Sequence, residues 1–392
     1  MSAEVTVSVH PVVNTHVHLP PNFSAFATVE DAIAAAVSEG VRALGISNFF
    51  DQQVYARLAE ALRGTDIRPL YGLEFITRID DLAEAGVRIN DPANPGRMYL
   101  CGKGIAPFKP KAADAASIAA RIRAGNDRRA AEMVARLSAW FARSGLPNDL
   151  SAETIAEDVS RRGNVPVEWV SLQERHIAMA FQEALSGLAE AERSAVLERA
   201  YGAPSEVDLN DAVALQGEIR ARLIKVGTAG FVPEVPLGFA EAYHYVLAMQ
   251  GIPTYPTLAD GTSPICPFEA SPTALATELR GRGIHAAELI PNRNTSAQID
   301  AYVNAFSEAG MIVMAGTEHN TVARIPFQVR AVDGAISLTS MQAFWEGTCV
   351  VAAHQYLTEH GRPGYVDADG ARTEASVAEL VTIGARLIEE ER

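Results

Sequence analysis

The chain has 392 residues, of which 48% are hydrophobic and 21% are charged, and its formal net charge is −15 at pH 7. A chain of this kind can bury a large core, either as two or three domains or as one α/β barrel with an insertion. The negative charge repels a nucleic-acid backbone, so we expect no nucleic-acid partner. The net negative charge is still compatible with a small-molecule anionic substrate that binds in a locally basic pocket.

The sequence also bears on the cellular compartment and on the redox state of the cysteines. No run of about 18 apolar residues occurs, which predicts no membrane span and no membrane partner. The N-terminus lacks the basic segment and apolar core of a signal peptide, so we expect a cytoplasmic protein. Cys101, Cys266 and Cys349 are far apart, which favours reduced thiols over a disulfide framework. The sequence leaves homo-oligomerisation open.

The first predicted strand ends in two histidines. Residues 12–18 read Val-Val-Asn-Thr-His-Val-His, and the alternation of a strand places His16 and His18 on the same face. Imidazoles are common ligands of transition metals. This strand therefore predicts half of a metal site.

Helices and further strands alternate after it. Thr28 is a predicted N-cap for a helix from about 29 to 39 that stops at Gly40. The next three predicted strands span residues 41–46, 67–75 and 97–101. From about 109 to 231 helical spacing dominates, with one helix predicted from Asn126 to before Gly145 and another from the capping box Ser171–Glu174. We predict a helical insertion at 109–231.

Strand–helix alternation resumes beyond the insertion. The predicted strands span residues 252–255, 286–290 and 311–315, and the predicted helices lie near 239–250, 272–281, 340–357 and 374–390. Seven strands separated by helices predict a parallel sheet formed by residues 1–108 and 232–392. Polar residues follow nearly every strand, and the carboxyl ends of parallel strands meet at one rim, so we expect the active site there.

Three segments resemble motifs of the polymerase-and-histidinol-phosphatase (PHP) superfamily. They are Thr15-His16-Val17-His18, Gly72-Leu73-Glu74 and Gly316-Thr317-Glu318-His319. Members of this superfamily are distorted (β/α)7 barrels that hold up to three metal ions and hydrolyse phosphoesters. The resemblance covers residues 1–108 and 240–325, and it implies a divergent PHP-type barrel with a mostly helical insertion.

The sequence also departs from the family pattern. Ser47-Asn48-Phe49 stands where the family carries Thr-Asp-His, Tyr99 stands where a histidine is expected, and Glu318 replaces an aspartate. Asn48 or Asp51 could replace the missing ligand, although Asp51 fits a helix cap better. The reduced set implies one divalent ion, at most two, of zinc, manganese or iron.

The predicted metal ligands are His16, His18, Glu74, Glu318 and His319. Adjacent residues on a loop usually point apart, so we expect only one of Glu318 and His319 to reach the ion directly. Glu74, Glu318 or His319 is also the predicted proton acceptor. An ion pair at a strand end is the alternative for Glu74.

The predicted substrate-binding residues are Arg293, Lys103, Asp260, Asn294, Arg175 and His176. Arginine and lysine recognise phosphate or carboxylate groups, with salt bridges to the many acids as the alternative. Ordinary turn chemistry is the alternative for Asp260, and a structural role is the alternative for His176.

The sequence predicts a metal-dependent hydrolase, a phosphoesterase that uses a metal-activated water on a small anionic metabolite. Two alternatives stay open. One is a different metal enzyme, resembling an amidohydrolase or an isomerase, and the other is an inactive PHP-like binding protein.

Overall fold

The protein is described by a computed structural model that covers residues 10–50, 52–106, 108 and 112–390. The strands of these residues belong to one sheet. In chain order they are β1 (Val12–Val17), β2 (Val41–Ile46), β3 (Arg68–Arg78), β4 (Arg97–Lys103), β5 (Leu237–Gly238), β6 (Ile252–Thr257), β7 (Ala286–Leu289) and β8 (Ile312–Ala315).

The sheet is rolled into a nearly closed barrel. Seven of its strands follow the order β1-β2-β3-β4-β6-β7-β8, and the two-residue β5 pairs with the end of β3. The two edges meet where Val17 pairs with Glu318, and the amide of His18 donates to the Glu318 carbonyl at 2.9 Å. A Cβ on Gly316 would overlap that of His16, so this close approach requires glycine. The predicted seven-stranded barrel with helices is confirmed, and β5 is an addition to it.

One strand runs against the others. β4 pairs antiparallel with both β3 and β6, whereas the other pairs along the path are parallel. The expectation of a wholly parallel sheet was wrong here. The link before β4 contains only the five-residue helix α3 (Asp80–Glu84), not the crossover helix that usually joins parallel strands. The amino-terminal end of β4 therefore lies at the rim where the other strands end.

Helices surround the barrel. Besides α3 they are α1 (Val29–Ser38), α2 (Tyr55–Ala61), α9 (Phe239–Ala248), α10 (Pro272–Gly281), α11 (Ser296–Glu308), α12 (Leu338–Glu359) and α13 (Val377–Glu389). The Thr28 side chain caps α1 as expected, and Gly40 follows that helix with a φ of +68°. Ser376 and Glu379 form a capping box that begins α13.

A second helical layer follows β4. It contains α4 (Ala113–Arg143), α5 (Ala152–Gly163), α6 (Glu174–Ser186), α7 (Glu190–Tyr201), α8 (Ala212–Ile219) and the π-helical turn Arg220–Ile224. Side chains such as Met133 and Phe181 form a core separate from the barrel, whereas Ile118 packs into the barrel core. The exact domain boundaries at 109 and 231 remain predictions.

Two helices in this layer begin elsewhere than the sequence predicts. The first starts at Ala113 rather than near Asn126, because Ile118 and its neighbours pack on the barrel. The second starts at Glu174, with Gln173 rather than Ser171 as its N-cap. Among the described helices, none combines the length and the apolar character that crossing a bilayer requires.

Candidate functional site

A cavity of about 350 Å³ lies at the rim of the barrel. Glu74 from β3 and Glu318 from the loop after β8 line it, together with Arg293 after β7 and Arg175 from α6. Tyr99 also lines it, because the reversed direction of β4 brings the first residues of that strand to this rim. Acidic and basic side chains thus face each other across one small space.

His16 and His18 lie beside this cavity and are fully buried. Their Nε2 atoms are 3.4 Å apart, and His18 Nε2 lies 3.6 Å from Glu74 Oε2. One ligand atom from each of His16, His18 and Glu74 lies within 4.8 Å of the others. The predicted half-site on β1 is thereby joined by a carboxylate from β3.

These three residues fit a divalent transition metal. Two nitrogens that each lie about 2.0–2.1 Å from one tetrahedral ion are about 3.4 Å apart, which is the separation of the two Nε2 atoms. His18 Nδ1 is buried and has no hydrogen-bond partner among the described residues. The mixed nitrogen and oxygen set suits zinc, manganese or iron.

The electrostatics of the group favour a cation. Burial, and next the Glu318 carboxylate, raise the pKa of Glu74 well above its usual range. Burial, with a smaller contribution from His16, lowers the pKa of His18 to about 3, so its imidazole is neutral, as metal ligation requires. A bound divalent ion would stabilise the ionised form of Glu74.

Glu318 pairs with Arg293 rather than joining this group. The two side chains form a bidentate ion pair, with Arg293 donating at 2.8 and 2.5 Å. Burial opposes ionisation of Glu318, but Arg293, followed by His16 and His18, together lower the pKa of that carboxyl. Both oxygens are therefore occupied, and Glu318 orients the guanidinium at the cavity wall.

His319 lies outside the site. Glu318 and His319 both adopt left-handed φ values, of 64° and 49°, and this turn directs the two side chains apart. One ring nitrogen of His319 contacts Thr317 Oγ1 at 2.7 Å, and the other donates to the Ile325 carbonyl at 2.9 Å. The ring also stacks on Phe26 and Phe327, which stack on each other. The structure does not bring His319 to His16 and His18.

Lys103 lies inside the barrel and not at the cavity wall. Its ammonium donates to the Thr15 carbonyl, to Ser47 Oγ and to Glu288, all at 2.7–2.8 Å. The sequence predicts Lys103 at the rim, because it follows the predicted strand 97–101. Since β4 runs antiparallel, its carboxyl end lies away from the rim.

Glu288 is a site residue that the sequence analysis missed. This fully buried side chain on β7 accepts from His16 Nδ1 at 2.6 Å and from Thr15 Oγ1 at 2.5 Å. Burial opposes its ionisation, but Lys103 and then His16 hold its pKa at about 2. An ionised carboxylate can only accept, so the proton of His16 lies on Nδ1 and Nε2 is free to bind a metal. A glutamate within a short buried strand is the signal that marks it.

His16, Cys101 and Glu288 form a second group with ligand spacing. Both Glu288 oxygens already accept hydrogen bonds, and His16 uses Nδ1 to reach them. Burial raises the pKa of the Cys101 thiol well above its usual range. We therefore assign no metal to this group.

Asp260 and Asn294 hold two loops together. Asp260 accepts from Asn294 Nδ2 at 3.0 Å, from Thr295 Oγ1 at 2.6 Å and from the Thr295 amide. Asn294 is fully buried and also donates to the Leu258 carbonyl. These contacts join residues 34–35 positions apart, so they are a link between two loops and not local turn chemistry, and they direct the Asp260 carboxylate towards the start of α11.

The pair Arg175-His176 divides between the cavity and the core. Arg175 lines the cavity, and its guanidinium has no hydrogen bond or ion pair within the part of the chain that the structure describes. His176 is buried edge-on against Phe23, and its Nδ1 accepts from the Gln173 amide at 3.1 Å. Burial lowers its pKa to about 3. Only Arg175 is placed to meet a ligand.

Asn48 connects the ends of two strands. Its amide exchanges hydrogen bonds with the backbone of Leu19 at 2.9 and 3.0 Å, so its side chain is occupied away from the metal group. Asp51 lies outside the described residues.

No family model matches the chain, and no curated protein sequence matches it. Solved structures do resemble it. A candidate metal-dependent phosphoesterase from Bifidobacterium adolescentis is 14% identical, with a TM-score of 0.58, and the alignment covers 86% of this chain and 96% of that one. An amidohydrolase from Chromobacterium violaceum, with bound sulfate and no metal, is 16% identical, with a TM-score of 0.53 and coverage of 82% and 94%. At these identities the likeness concerns the fold alone, a nearly closed α/β barrel surrounded by helices.

Proposed function

We propose that this protein is a metal-dependent hydrolase that cleaves a phosphoester of a small anionic metabolite. The observation that carries the proposal is the buried group of His16, His18 and Glu74 next to a cavity that also contains Arg293 and Arg175. The two structural neighbours, one described as a phosphoesterase and the other as an amidohydrolase, support the general class.

His16, His18 and Glu74 would hold one divalent ion. When bound, the ion would supply a Lewis acid and a water whose pKa is close to neutral. Glu288 keeps His16 in the tautomer that leaves Nε2 free, and Lys103 keeps Glu288 charged. Glu74 is the carboxylate on the cavity side of the group, and it is our candidate for the acceptor of the water proton.

The two arginines would bind the phosphoryl group. Arg293 is fixed by its bidentate pair with Glu318 and is about one-third exposed, so part of its guanidinium faces the cavity. Arg175 faces the same space without a partner among the described residues. A guanidinium fork matches the oxygens of a phosphate and stabilises charge that develops during the reaction. The sulfate in the Chromobacterium violaceum structure fits the same preference for an oxyanion.

The first test is the metal content of untagged protein purified without chelator. We expect about one equivalent of zinc, manganese or iron per chain, and we expect His16→Ala to lose it because one of three ligands is gone. His360→Ala, an exposed histidine outside the group, is the matched control and should keep the metal. An unchanged metal content in His16→Ala would contradict the proposal.

The second part of the test is phosphate release from a panel of phosphomonoesters, in the presence of each metal. We expect turnover in the wild type and in His360→Ala, and none in His16→Ala. A stable metal content together with no phosphate release from any ester would reject the phosphoesterase.

Amide hydrolysis is the second candidate. Among the described residues, three ligands form the group rather than the larger set of a trinuclear phosphoesterase, and one neighbour is described as an amidohydrolase. The same panel extended to N-acyl amino acids separates the two reactions, because amine release without phosphate release would identify the amidase.

A further inference from the structure

A second, larger cavity lies outside the first. Its volume is about 520 Å³, and it extends between the barrel rim and the helical layer of α4 to α8. The two cavities share Phe49, Tyr99, Arg175 and Asn320 in their walls. A molecule whose reacting group occupies the inner cavity can therefore extend into the outer one.

Basic side chains predominate on the helical side of this outer cavity. Arg129 from α4, Arg175 from α6, Arg220 from the π-helical turn and Lys225 after it all line the space, and we call them the basic cluster. Glu174 is the carboxylate among them. It accepts from Arg129 at 2.7 Å and from Lys225 at 2.6 Å, and Arg220 lies 3.5 Å away.

Glu174 does not neutralise the basic cluster. Arg175 has no ion pair within the described residues, and Arg220 Nε is buried with no acceptor there. Burial, and next the positive charge of Arg220, lower the pKa of Arg175 to about 10, so the two guanidiniums repel each other while both stay charged. This positive surplus occurs in a chain of net charge −15. Asp91 and Glu234 also line the cavity, and Glu234 pairs with Arg97.

We propose that the outer cavity is an anion-binding subsite in which Arg175, Arg220 and Lys225 hold a phosphate or carboxylate group. The anion would satisfy the unpaired guanidinium and separate it from Arg220. Its source would be a second anionic group of the substrate, a statement that rests on the proposed function. Anion binding itself does not depend on hydrolysis.

The direct test is calorimetric titration of inorganic phosphate into metal-free full-length protein at neutral pH. We expect Arg220→Gln to weaken phosphate binding about tenfold, which corresponds to about 1.4 kcal/mol. Arg222→Gln is the matched control in the same turn, since Arg222 pairs with Glu206 and Glu218 and lines neither cavity. Its phosphate affinity should equal that of the wild type.

Glu174→Gln should change the phosphate affinity in the opposite direction. Removing the carboxylate that pairs with Arg129, Arg220 and Lys225 should tighten phosphate binding, and the circular dichroism spectrum should show that the variant is folded. The proposal is overturned if the wild type binds no phosphate. It is also overturned if phosphate binds with the same affinity to the wild type, Arg220→Gln and Glu174→Gln, because the phosphate would then be an adventitious ion only.

Kinetics identify the source of the anion. If it belongs to the substrate, Arg220→Gln should raise the KM of a phosphomonoester with an additional carboxylate about tenfold more than that of an alkyl phosphate whose alkyl group carries no charge. Equal effects on both esters would assign the subsite to a free anion. Lack of turnover of both esters, with phosphate binding intact, would reject the proposed function but not the subsite.

Discussion

Glu288 and Lys103 form a buried ion pair, and the two residues are 185 positions apart in the sequence. The pair is fully hydrogen-bonded, because Thr15, Ser47 and His16 complete the contacts. A buried charge that loses its partner costs far more than an exposed one, since desolvation is no longer offset. This network connects the stability of the barrel interior with the orientation of a metal ligand.

Lys103→Met should lower the free energy of unfolding by about 3–5 kcal/mol, because it leaves the Glu288 carboxylate buried without a cation. The double variant Lys103→Met/Glu288→Gln should lose less than the single variant, since no uncompensated charge remains. Urea unfolding followed by circular dichroism measures Lys103→Met, Glu288→Gln and the double variant. A double variant that loses the sum of the two single effects would show that the two side chains are not coupled.

Among the elements, the loops after β6 and β7 depend on each other. Asp260 follows β6 and bonds to Thr295, the N-cap of α11, while Asn294 bonds back to the Leu258 carbonyl. The loop before α11 is thereby fixed, and it begins with the turn that presents Arg293.

Asp260→Ala should lower the free energy of unfolding by about 1–3 kcal/mol, because buried donors lose their acceptor. The metal content should stay equal to that of the wild type, since Asp260 is not in the ligand group. Urea unfolding and elemental analysis of the same sample measure both quantities. Loss of metal without loss of stability would instead make Asp260 a ligand.

Across the whole molecule, Glu174 connects separate parts of the helical layer. It joins α6 to α4 through Arg129 and to the segment after the π-helical turn through Lys225. Burial opposes its ionisation, but Lys225 and Arg129 together lower its pKa from 4.5 to about 2. Folding thus favours the ionised carboxylate.

Because the pKa of Glu174 is lower in the folded protein, its contribution to the free energy of unfolding depends on pH. Ionised Glu174 stabilises the folded protein fully above about pH 4.5, and this contribution, about 3 kcal/mol, is lost as the pH falls through about 2. The difference in urea midpoint between the wild type and Glu174→Gln should therefore be largest at neutral pH and disappear near pH 2. A difference that stays constant over this range would show that the carboxylate charge has no such role.

The alternation of strands and helices is enough to predict the strands of the sheet, whereas its closure into a barrel was expected from the family resemblance. Seven of the strands match the predicted ones, because each is a short apolar run between turn signals. His16 and His18 follow from strand geometry alone, since side chains two residues apart share a face. Glu74 was predicted from the family resemblance, and the structure places it beside them.

The direction of β4 and the choice of partners were decided only by the tertiary structure. Local pattern does not say whether a strand runs parallel or antiparallel, so Lys103 was expected at the rim, where the antiparallel β4 places Tyr99 instead. His319 and Asp260 were expected to meet a ligand, but each found hydrogen-bond partners within the protein. The physical reason is that hydrophobic periodicity depends on residues that are neighbours in the sequence. An ion pair such as Lys103–Glu288, or the lack of an ion-pair partner for Arg175 among the described residues, depends on residues that are distant in the sequence.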